Sequence, residues 1–269
     1  MKPIYDKIGV NYSVTRSTDP KIAEQLYAEL AGARRIVNIG AGTGSYEPEG
    51  VDLVAVEPSA EMISQRPDDA YPVKQAPAEN LPFEDGMFSH AMTINSMHHW
   101  PDRAKGYSEI KRVATEKFVA ITWDPESEPF WLTRDYFPEI LEMDRAIFPT
   151  MEELKNNFDD VVVRPLLIPA DCQDGLFAAF WKRPEAYLRE DVRQATSPFS
   201  KITNVVDGLS KLTADLESGA WTKKNQELLN LSACDVGYRL VTAKLSDPSI
   251  KCVPKPKYAF TLMRKRLLG

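Results

Sequence analysis

A glycine-rich turn and a downstream carboxylate are the residues of this sequence whose types and spacing best match a chemical task. The turn NIGAGTG (38–44) carries Gly40, Gly42 and Gly44. Glycine has no Cβ, so its backbone can adopt positive φ and approach a ligand closely. Glu57 follows 17 residues after Gly40, at the end of the next apolar run, where a carboxylate can accept hydrogen bonds from both hydroxyls of a ribose. Together these residues predict a nucleoside cofactor at the carboxyl edge of a sheet.

The spacing of the glycines indicates which nucleoside is bound. A dinucleotide fingerprint has the pattern GxGxxG, but Ser45 stands where its third glycine would lie. Only residues 45–50, with Pro48 among them, separate the turn from the next apolar run. No full helix fits there whose N-terminus could hold a pyrophosphate. The pattern favours S-adenosylmethionine, with a nicotinamide-dependent oxidoreductase as the alternative.

Two adjacent histidines, His98 and His99, are the candidate catalytic residues. Imidazole titrates near neutral pH, so either ring could remove a proton from a substrate; packing behind the cofactor is the alternative interpretation. A metal ion would need further ligands from elsewhere in the chain, so we expect no metal site.

Three tryptophans, Trp123, Trp131 and Trp181, are the candidate substrate-binding residues. They could line an acceptor pocket, or they could form the core of a helical region. Trp123 is favoured for the pocket because it ends a predicted strand whose carboxyl end faces the same crevice as the glycine turn.

Short apolar runs alternate with helical patterns in the first half of the chain, and these elements must position the residues above. The predicted strands cover residues 34–40, 51–58, 71–75, 88–95 and 117–123. Asp19 and Asp102 are predicted to cap two of the helices. The alternation indicates a parallel sheet with right-handed crossovers.

The second half of the chain has a different rhythm. An aromatic-rich, helical stretch follows Asp124, and Thr150 and Glu153 are predicted to form a capping box for a helix that leads into a sixth strand at 158–169. Residues 170–230 show helical patterns only, before strand character returns at 235–245. We therefore predict a cofactor-binding core of residues 1–169 and 231–269, with a helical lid at 170–230 that covers the substrate.

In these motifs the sequence resembles the class I methyltransferases of the type 11 group. The resemblance runs through NIGAGTGSY, VEPSAEM, QAPAENLPFEDGMFSHAM and SMHHWPD, and more loosely through DGLFAAFWKRPEAYL and DVGYRLVTAKL. It implies an α/β, Rossmann-like three-layer sandwich with a mostly parallel seven-stranded sheet whose last strand is antiparallel. It also implies methyl transfer from S-adenosylmethionine to a small molecule by direct in-line attack, in which the protein mainly orients the reactants.

The resemblance further implies which residues bind the cofactor. The acid at Glu57 would hold the ribose, Ala78 and Glu79 would lie at the adenine, and Asn95 would lie beside the reactive methyl group. Tyr12 and Arg16 would reach the cofactor's carboxylate. The full predicted set is Tyr12, Arg16, Gly40, Ala41, Gly42, Gly44, Glu57, Pro58, Ala78, Glu79 and Asn95.

Several positions depart from the family pattern. Asn38 replaces the usual acid, so an indirect contact to the methionine amine should lose its charge. Pro77 replaces the aspartate that would hold the adenine amino group, and Ser89 and His90 replace a Phe-Asp pair. These departures leave a cofactor-binding module without turnover as a further alternative.

Charge and cysteine content limit the partners and the location. The net charge of −6 disfavours non-specific nucleic-acid binding, although a basic, acid-free tail at 251–266 keeps protein or RNA methylation open. Three cysteines without CxxC spacing argue against a disulfide framework. With no secretory signal or apolar run long enough to span a bilayer, we expect a cytoplasmic protein with no membrane partner. The sequence leaves the acceptor and the oligomeric state open.

Overall fold

A seven-stranded sheet forms the centre of the molecule in a computed structural model that describes residues 17–194 and 196–246. Its strands run in the order β3-β2-β1-β4-β5-β9-β6. Strands β1 to β5 are parallel, and β9 is antiparallel to both of its neighbours. The predicted fold class is therefore confirmed. The strands are β1 (Ile36–Ile39), β2 (Leu53–Glu57), β3 (Val73–Gln75), β4 (Phe88–Ile94), β5 (Ala114–Trp123), β6 (Asp159–Pro165) and β9 (Tyr238–Lys244); β7 (Ile168–Pro169) and β8 (Ala233–Cys234) form a separate antiparallel pair.

The strand order reverses at β1, which lies between β2 and β4. Crossovers from the two sides of this point leave in opposite directions, so a crevice opens beyond the carboxyl ends of β1 and β4. The glycine turn follows β1, and Asn95 follows β4. The topology thus brings two predicted site segments to the same crevice.

Helices pack on both faces of the sheet. They are α1 (Pro20–Leu30), α2 (Ala60–Ser64), α3 (Arg103–Val113), α4 (Trp131–Asp135), α5 (Pro138–Ile147), α6 (Met151–Asn157), α7 (Glu190–Gln194), α8 (Val205–Glu217) and α9 (Ala220–Lys224). Buried strand residues alternate between two cores: Ile36 belongs to the core shared with α1, α4 and α5, whereas Val37 belongs to the core shared with α3 and α6.

The predicted caps form. The side chains of Asp19, Asp102 and Thr150 each accept a hydrogen bond from a backbone N–H in the first turn of α1, α3 and α6 respectively. The Glu153 side chain does not complete a capping box, because its carboxylate pairs with Arg103 and accepts a hydrogen bond from the Tyr107 hydroxyl.

The segment at 170–230 lies between β7 and β8 and, in its described residues, contains helices and turns but no strand. The helical expectation is wrong for residues 174–183, which form turns, and residues 184–188 form a 3₁₀ helix instead of an α-helix. Pro184 lacks an N–H and disfavours helical backbone at the residue before it. The predicted sixth strand is likewise split into β6 and β7.

Asp19 joins the start of α1 to the helical segment. One carboxylate oxygen accepts hydrogen bonds from the N–H groups of Lys21 (2.9 Å) and Ile22 (3.1 Å), and the other accepts one from the N–H of Gln173 (3.0 Å). The residue is buried, so these N–H groups depend on it.

Asp19→Ala should lower the free energy of unfolding by about 2 kcal/mol, because it removes a helix cap and leaves buried donors without an acceptor. Asp19→Asn should lose less, since its amide oxygen can still cap α1. Urea denaturation measures both variants. An Asp19→Ala variant as stable as the parent would show that water satisfies these donors.

Candidate functional site

The glycine turn leaves the sheet at the end of β1 with three glycines at positive φ: Gly40 at 70°, Gly42 at 54° and Gly44 at 95°. The N–H groups of Gly40 and Ala41 donate to the carbonyl of Val56, at 2.8 and 3.0 Å. The start of the turn is therefore tied to β2.

Two of these glycines, Gly40 and Gly42, have different surroundings. A Cβ on Gly40 would lie 1.8 Å from Ser96 Oγ, so this glycine is required by the packing of the protein itself. A Cβ on Gly42 would meet only the end of the flexible Met62 side chain, at 3.2 Å. Gly42 is the position of the two where the turn leaves more room for a ligand.

Glu57 ends β2, as predicted, and its carboxylate holds the turn in place. Oε2 accepts a hydrogen bond from the N–H of Gly42 and Oε1 accepts one from the N–H of Ser59, both at 2.9 Å. The residue is 5% exposed. A carboxylate has about four acceptor sites, so it can accept more than these two hydrogen bonds.

A buried polar network beneath the turn was not predicted. Arg66 donates to Glu47 at 2.7 Å and to the carbonyl of Gly42 at 3.3 Å, and the side chains of this ion pair are 4% and 5% exposed. Asn38 Nδ2 donates to the other oxygen of Glu47 at 3.0 Å. Burial raises the pKa of Glu47, and Arg66 opposes that rise. The negative charge that Asn38 lacks is therefore carried by its neighbour Glu47, and Arg66 neutralises that charge.

Two amide oxygens at the strand ends are buried and lack a partner among the described residues. They are Oδ1 of Asn38, on β1, and Oδ1 of Asn95, just after β4. Asn95 has a φ of 49°, and its N–H donates to the carbonyl of Ile121 at 2.7 Å. Buried acceptors are normally hydrogen-bonded, so an unpaired one marks a place where a ligand can donate.

A pocket opens beside Asn95 between the sheet edge and the helical segment. Its cavity volume is about 60 Å³, and about 780 Å³ of empty space is enclosed when the open mouth is included. Its wall contains the aromatic residues Trp123, Phe130, Phe148, Phe177 and Tyr238 and the ionisable residues His98, Asp144 and Lys201.

Only one of the three predicted substrate tryptophans lies on this wall. Trp123 does, in edge contact with Phe148 at 5.5 Å between ring centroids. Trp131, on α4, and Trp181 do not: both are buried, and their indole N–H groups donate to the backbone carbonyls of Trp181 and Ile168 respectively. Both belong to the hydrophobic core and border a different pocket, so the structure does not bring them together with Trp123.

The two histidines form the 3₁₀ turn Met97–His99. Only His98 lines the pocket, and its ring stacks on Phe148 at 4.0 Å. Burial lowers the pKa of His98 and lowers that of His99 to about 4, and the charge of Lys201 adds to both effects. Both rings are therefore neutral at pH 7.

The remaining predicted cofactor residues lie along the same sheet edge or outside the described residues. The carbonyl of Pro58 accepts a hydrogen bond from Gln75, and Ala78 is buried. One oxygen of Glu79 accepts a hydrogen bond from the N–H of Asp102 at 3.1 Å. Tyr12 and Arg16 lie outside the described residues.

Asp144 and Lys201 were missed by the sequence analysis. Asp144 lies on α5 four residues after Ile140 and three after Leu141, which are both buried. An acid on the apolar stripe of a helix was the available signal. Burial raises its pKa to about 6.

In residues 17–194 and 196–246, no group of three or more His, Cys, Asp or Glu side chains is arranged to hold a metal ion. No helix in the described part of the chain has the length and apolar character needed to cross a bilayer.

Comparisons with known proteins agree on one family. Residues 37–117 match the family model described as "Methyltransferase domain". A putative methyltransferase from an antibiotic biosynthesis pathway of Anabaena variabilis is 33% identical with a TM-score of 0.79, and the match covers 86% of this chain and 99% of that one.

Two curated relatives match a little under half of the chain. A chloroplastic 2-methyl-6-phytyl-1,4-hydroquinone methyltransferase of Oryza sativa is 30% identical over 48% of this chain and 40% of its own length. A ubiquinone/menaquinone biosynthesis C-methyltransferase of Geobacter is 31% identical over 42% of this chain and 56% of its own. The chain thus spans about half the length of these relatives.

The ion pair beneath the turn gives a test of the site's architecture. Arg66→Met should lower the free energy of unfolding by about 3 kcal/mol, because it leaves the Glu47 carboxylate buried without its cation. The double variant Glu47→Gln/Arg66→Met should regain most of that loss. Denaturant unfolding of the single and double variants checks the coupling; equal losses in both would contradict it.

Proposed function

Because the chain belongs to the class I S-adenosylmethionine-dependent methyltransferases, we propose that it transfers a methyl group from S-adenosylmethionine to a small aromatic molecule. The observation that carries the proposal is the aromatic pocket that opens at Asn95, next to the crevice beyond β1 and β4. Methyl transfer requires two ligands side by side, and this arrangement offers two adjoining spaces. The compound in the name of one curated relative, a 2-methyl-6-phytyl-1,4-hydroquinone methyltransferase, also contains an aromatic ring.

The cofactor would lie along the carboxyl edge of β1, β2 and β4. In this proposal the backbone of Gly40, Ala41, Gly42 and Gly44 borders the cofactor, and Glu57 accepts hydrogen bonds from its ribose. Pro58, Ala78 and Glu79 lie toward the adenine, and Asn95 toward the methyl group. The unpaired oxygens of Asn38 and Asn95 support the fit, since both need a donor. The bound cofactor supplies an electrophilic methyl group on a sulfonium, which leaves without help from an acid.

The chain's own part in the reaction is to orient the acceptor and to exclude water. The rings of Trp123, Phe130 and Phe148 would hold a flat acceptor. Of the two predicted proton acceptors, His98 and His99, only His98 lines the pocket, and a buried ring with a lowered pKa is a weak base at neutral pH.

Calorimetry tests the proposed cofactor. S-adenosylhomocysteine should bind, and NAD should not, because Ser45 occupies the position of the third glycine of a dinucleotide site. NAD binding without a signal from S-adenosylhomocysteine would replace the proposal with an oxidoreductase.

The same titration on Glu57→Gln locates the ligand. The affinity for S-adenosylhomocysteine should fall about tenfold or more, because a charge-assisted pair of hydrogen bonds to the ribose is weakened. Glu49→Gln is the matched control, since Glu49 is an exposed acid in the segment between the glycine turn and β2. Unfolding curves should accompany the titration because Glu57 also holds two backbone N–H groups. Unchanged affinity in a folded variant would remove Glu57 from the ribose.

We further propose that residues 170–230 act as a lid whose closure depends on the cofactor. The Tyr46 hydroxyl, two residues after the glycine turn, donates to the buried Asp174 carboxylate at 2.8 Å. The Gln173 N–H donates to Asp19. Gly175, Phe177 and Thr196 line the pocket. These contacts connect the turn, the lid and the acceptor space.

Hydrogen exchange with and without S-adenosylhomocysteine tests the lid. The ligand should slow exchange in parts of 170–230 as well as in the glycine turn, because closure buries backbone that is open without ligand. Protection limited to the turn and β2 would mean that the segment is a rigid accessory.

A further inference from the structure

One carboxylate on the wall of the acceptor pocket has no structural task. Asp144 lies one turn after Ile140 on α5, is partly exposed, and lines the pocket. Within the described residues, no hydrogen bond or ion pair to its carboxylate is present. A charge that is partly withdrawn from water and has no hydrogen-bond partner costs free energy. A carboxylate retained at such a place is explained if a ligand donates to it.

The groups that face Asp144 come from three other elements. Lys201 follows the 3₁₀ helix Ser197–Ser200, His98 belongs to the turn after β4, and Tyr238 begins β9; all three line the same pocket. On its own helix, Glu142 and Arg145 are exposed, and Arg145 donates to the carbonyl of Pro125. Lys201 is therefore the cation that faces the Asp144 carboxylate in the pocket.

The two candidate bases differ in strength. Burial and the charge of Lys201 both lower the pKa of His98, so its neutral ring accepts protons poorly. Burial raises the pKa of Asp144 to about 6, and Lys201 only opposes that rise. A base whose pKa lies near the working pH transfers protons most effectively. Of these two groups, the carboxylate is better matched to neutral pH.

We propose that the methyl acceptor is a hydroxyarene whose hydroxyl donates to Asp144, and that Asp144 takes its proton. This inference rests on the proposed function and names its acceptor class. The O–H bond of the acceptor breaks, the proton passes to a carboxylate oxygen of Asp144, and the electron pair stays on the acceptor oxygen. The ammonium of Lys201 stabilises the resulting arenolate, which is the nucleophile for a methyl group on the cofactor.

The pocket wall favours this class over an amine. Trp123, Phe130, Phe148 and Phe177 supply faces and edges for an aryl ring. An amine acceptor would be bound to Asp144 as its ammonium, which has no lone pair to accept a methyl group. A hydroxyl becomes a better nucleophile in the same contact.

Binding of two matched probes tests the proposal without turnover. 2-Naphthol has a hydroxyl that stays protonated between about pH 5 and 8, and 2-methoxynaphthalene has that hydroxyl blocked. Naphthalene fluorescence gives both affinities on the full chain, with and without S-adenosylhomocysteine. At about pH 7.5, 2-naphthol should bind about tenfold more tightly, because a hydrogen bond to an ionised acceptor is gained.

The pH dependence identifies the group. The preference for 2-naphthol needs ionised Asp144, so it should be present above about pH 6 and decline below it. Asp144→Asn should abolish both the preference and its pH dependence while leaving the affinity for 2-methoxynaphthalene unchanged. Glu142→Gln, an exposed acid on the same helix, should behave as the parent. Lys201→Met should move the midpoint to higher pH, because the positive charge that lowers the pKa of Asp144 is removed.

Three outcomes would overturn the proposal. The first is a parent protein with no preference for the hydroxyl. The second is a preference that survives in Asp144→Asn, or, if that variant does not fold, a midpoint that Lys201→Met leaves in place. The third is tighter binding of 2-naphthylmethylamine than of 2-naphthol, which would assign the pocket to amines. Because the probes do not require the cofactor, a failure to bind S-adenosylhomocysteine would count against the proposed function and not against this site.

Discussion

The close approach of Gly40 to Ser96 is the contact on which the rest of the site depends. The backbone of β1 leaves the sheet at Gly40, and Ser96 follows the end of the neighbouring strand β4; a Cβ on the glycine would lie 1.8 Å from the serine oxygen. Ser96 Oγ also accepts a hydrogen bond from the Trp100 indole at 3.0 Å. This contact fixes the glycine turn against the segment that carries Asn95 and His98. This close approach therefore constrains the relative position of the crevice beyond β1 and β4 and the aromatic pocket.

Three acids show three ways of accommodating charge. Glu57 is bound by backbone N–H groups, and Glu47 is paired with Arg66 and Asn38. Asp144 is partly exposed and has neither kind of partner in the described residues. The first two arrangements stabilise the loop in the absence of any ligand. The third leaves a pocket-lining carboxylate whose interactions a ligand can complete.

Much of the fold follows from local sequence patterns. Five β-branched runs predicted β1 to β5, and the caps at Asp19, Asp102 and Thr150 were predicted from residue type and spacing. These features depend on short-range chemistry: backbone hydrogen bonding, side-chain capping and alternation of apolar residues. The glycine turn and Glu57 were also found, because strand order places such segments at one edge whatever the details of packing.

The parts that could not be predicted depend on long-range packing. Trp131 and Trp181 have the residue type of a pocket wall, and only the assembled structure shows that they lie in the hydrophobic core, away from Trp123 and the pocket at Asn95. Residues 174–183 have helical periodicity but form turns before Pro184. The hydrogen bond between Asn38 and Glu47 could not be predicted either, because nothing in the spacing of the charged residues indicates that Glu47 folds back onto β1. The sequence did mark Asp144 as an acid at an apolar spacing on α5. Whether that acid lines a pocket depends on which elements pack beside α5.

The position of β9 within the sheet has a consequence for how the chain is assembled. β9 lies between β5 and β6 and is the sole strand that β6 pairs with in the described sheet. β6 ends at Pro165, but β9 begins only at Tyr238. During synthesis the edge of β5 therefore stays open, and β6 has no place in the sheet, until the whole helical segment has left the ribosome. Closing this edge is a late, non-local step of the kind that slows folding and exposes unpaired backbone to other chains.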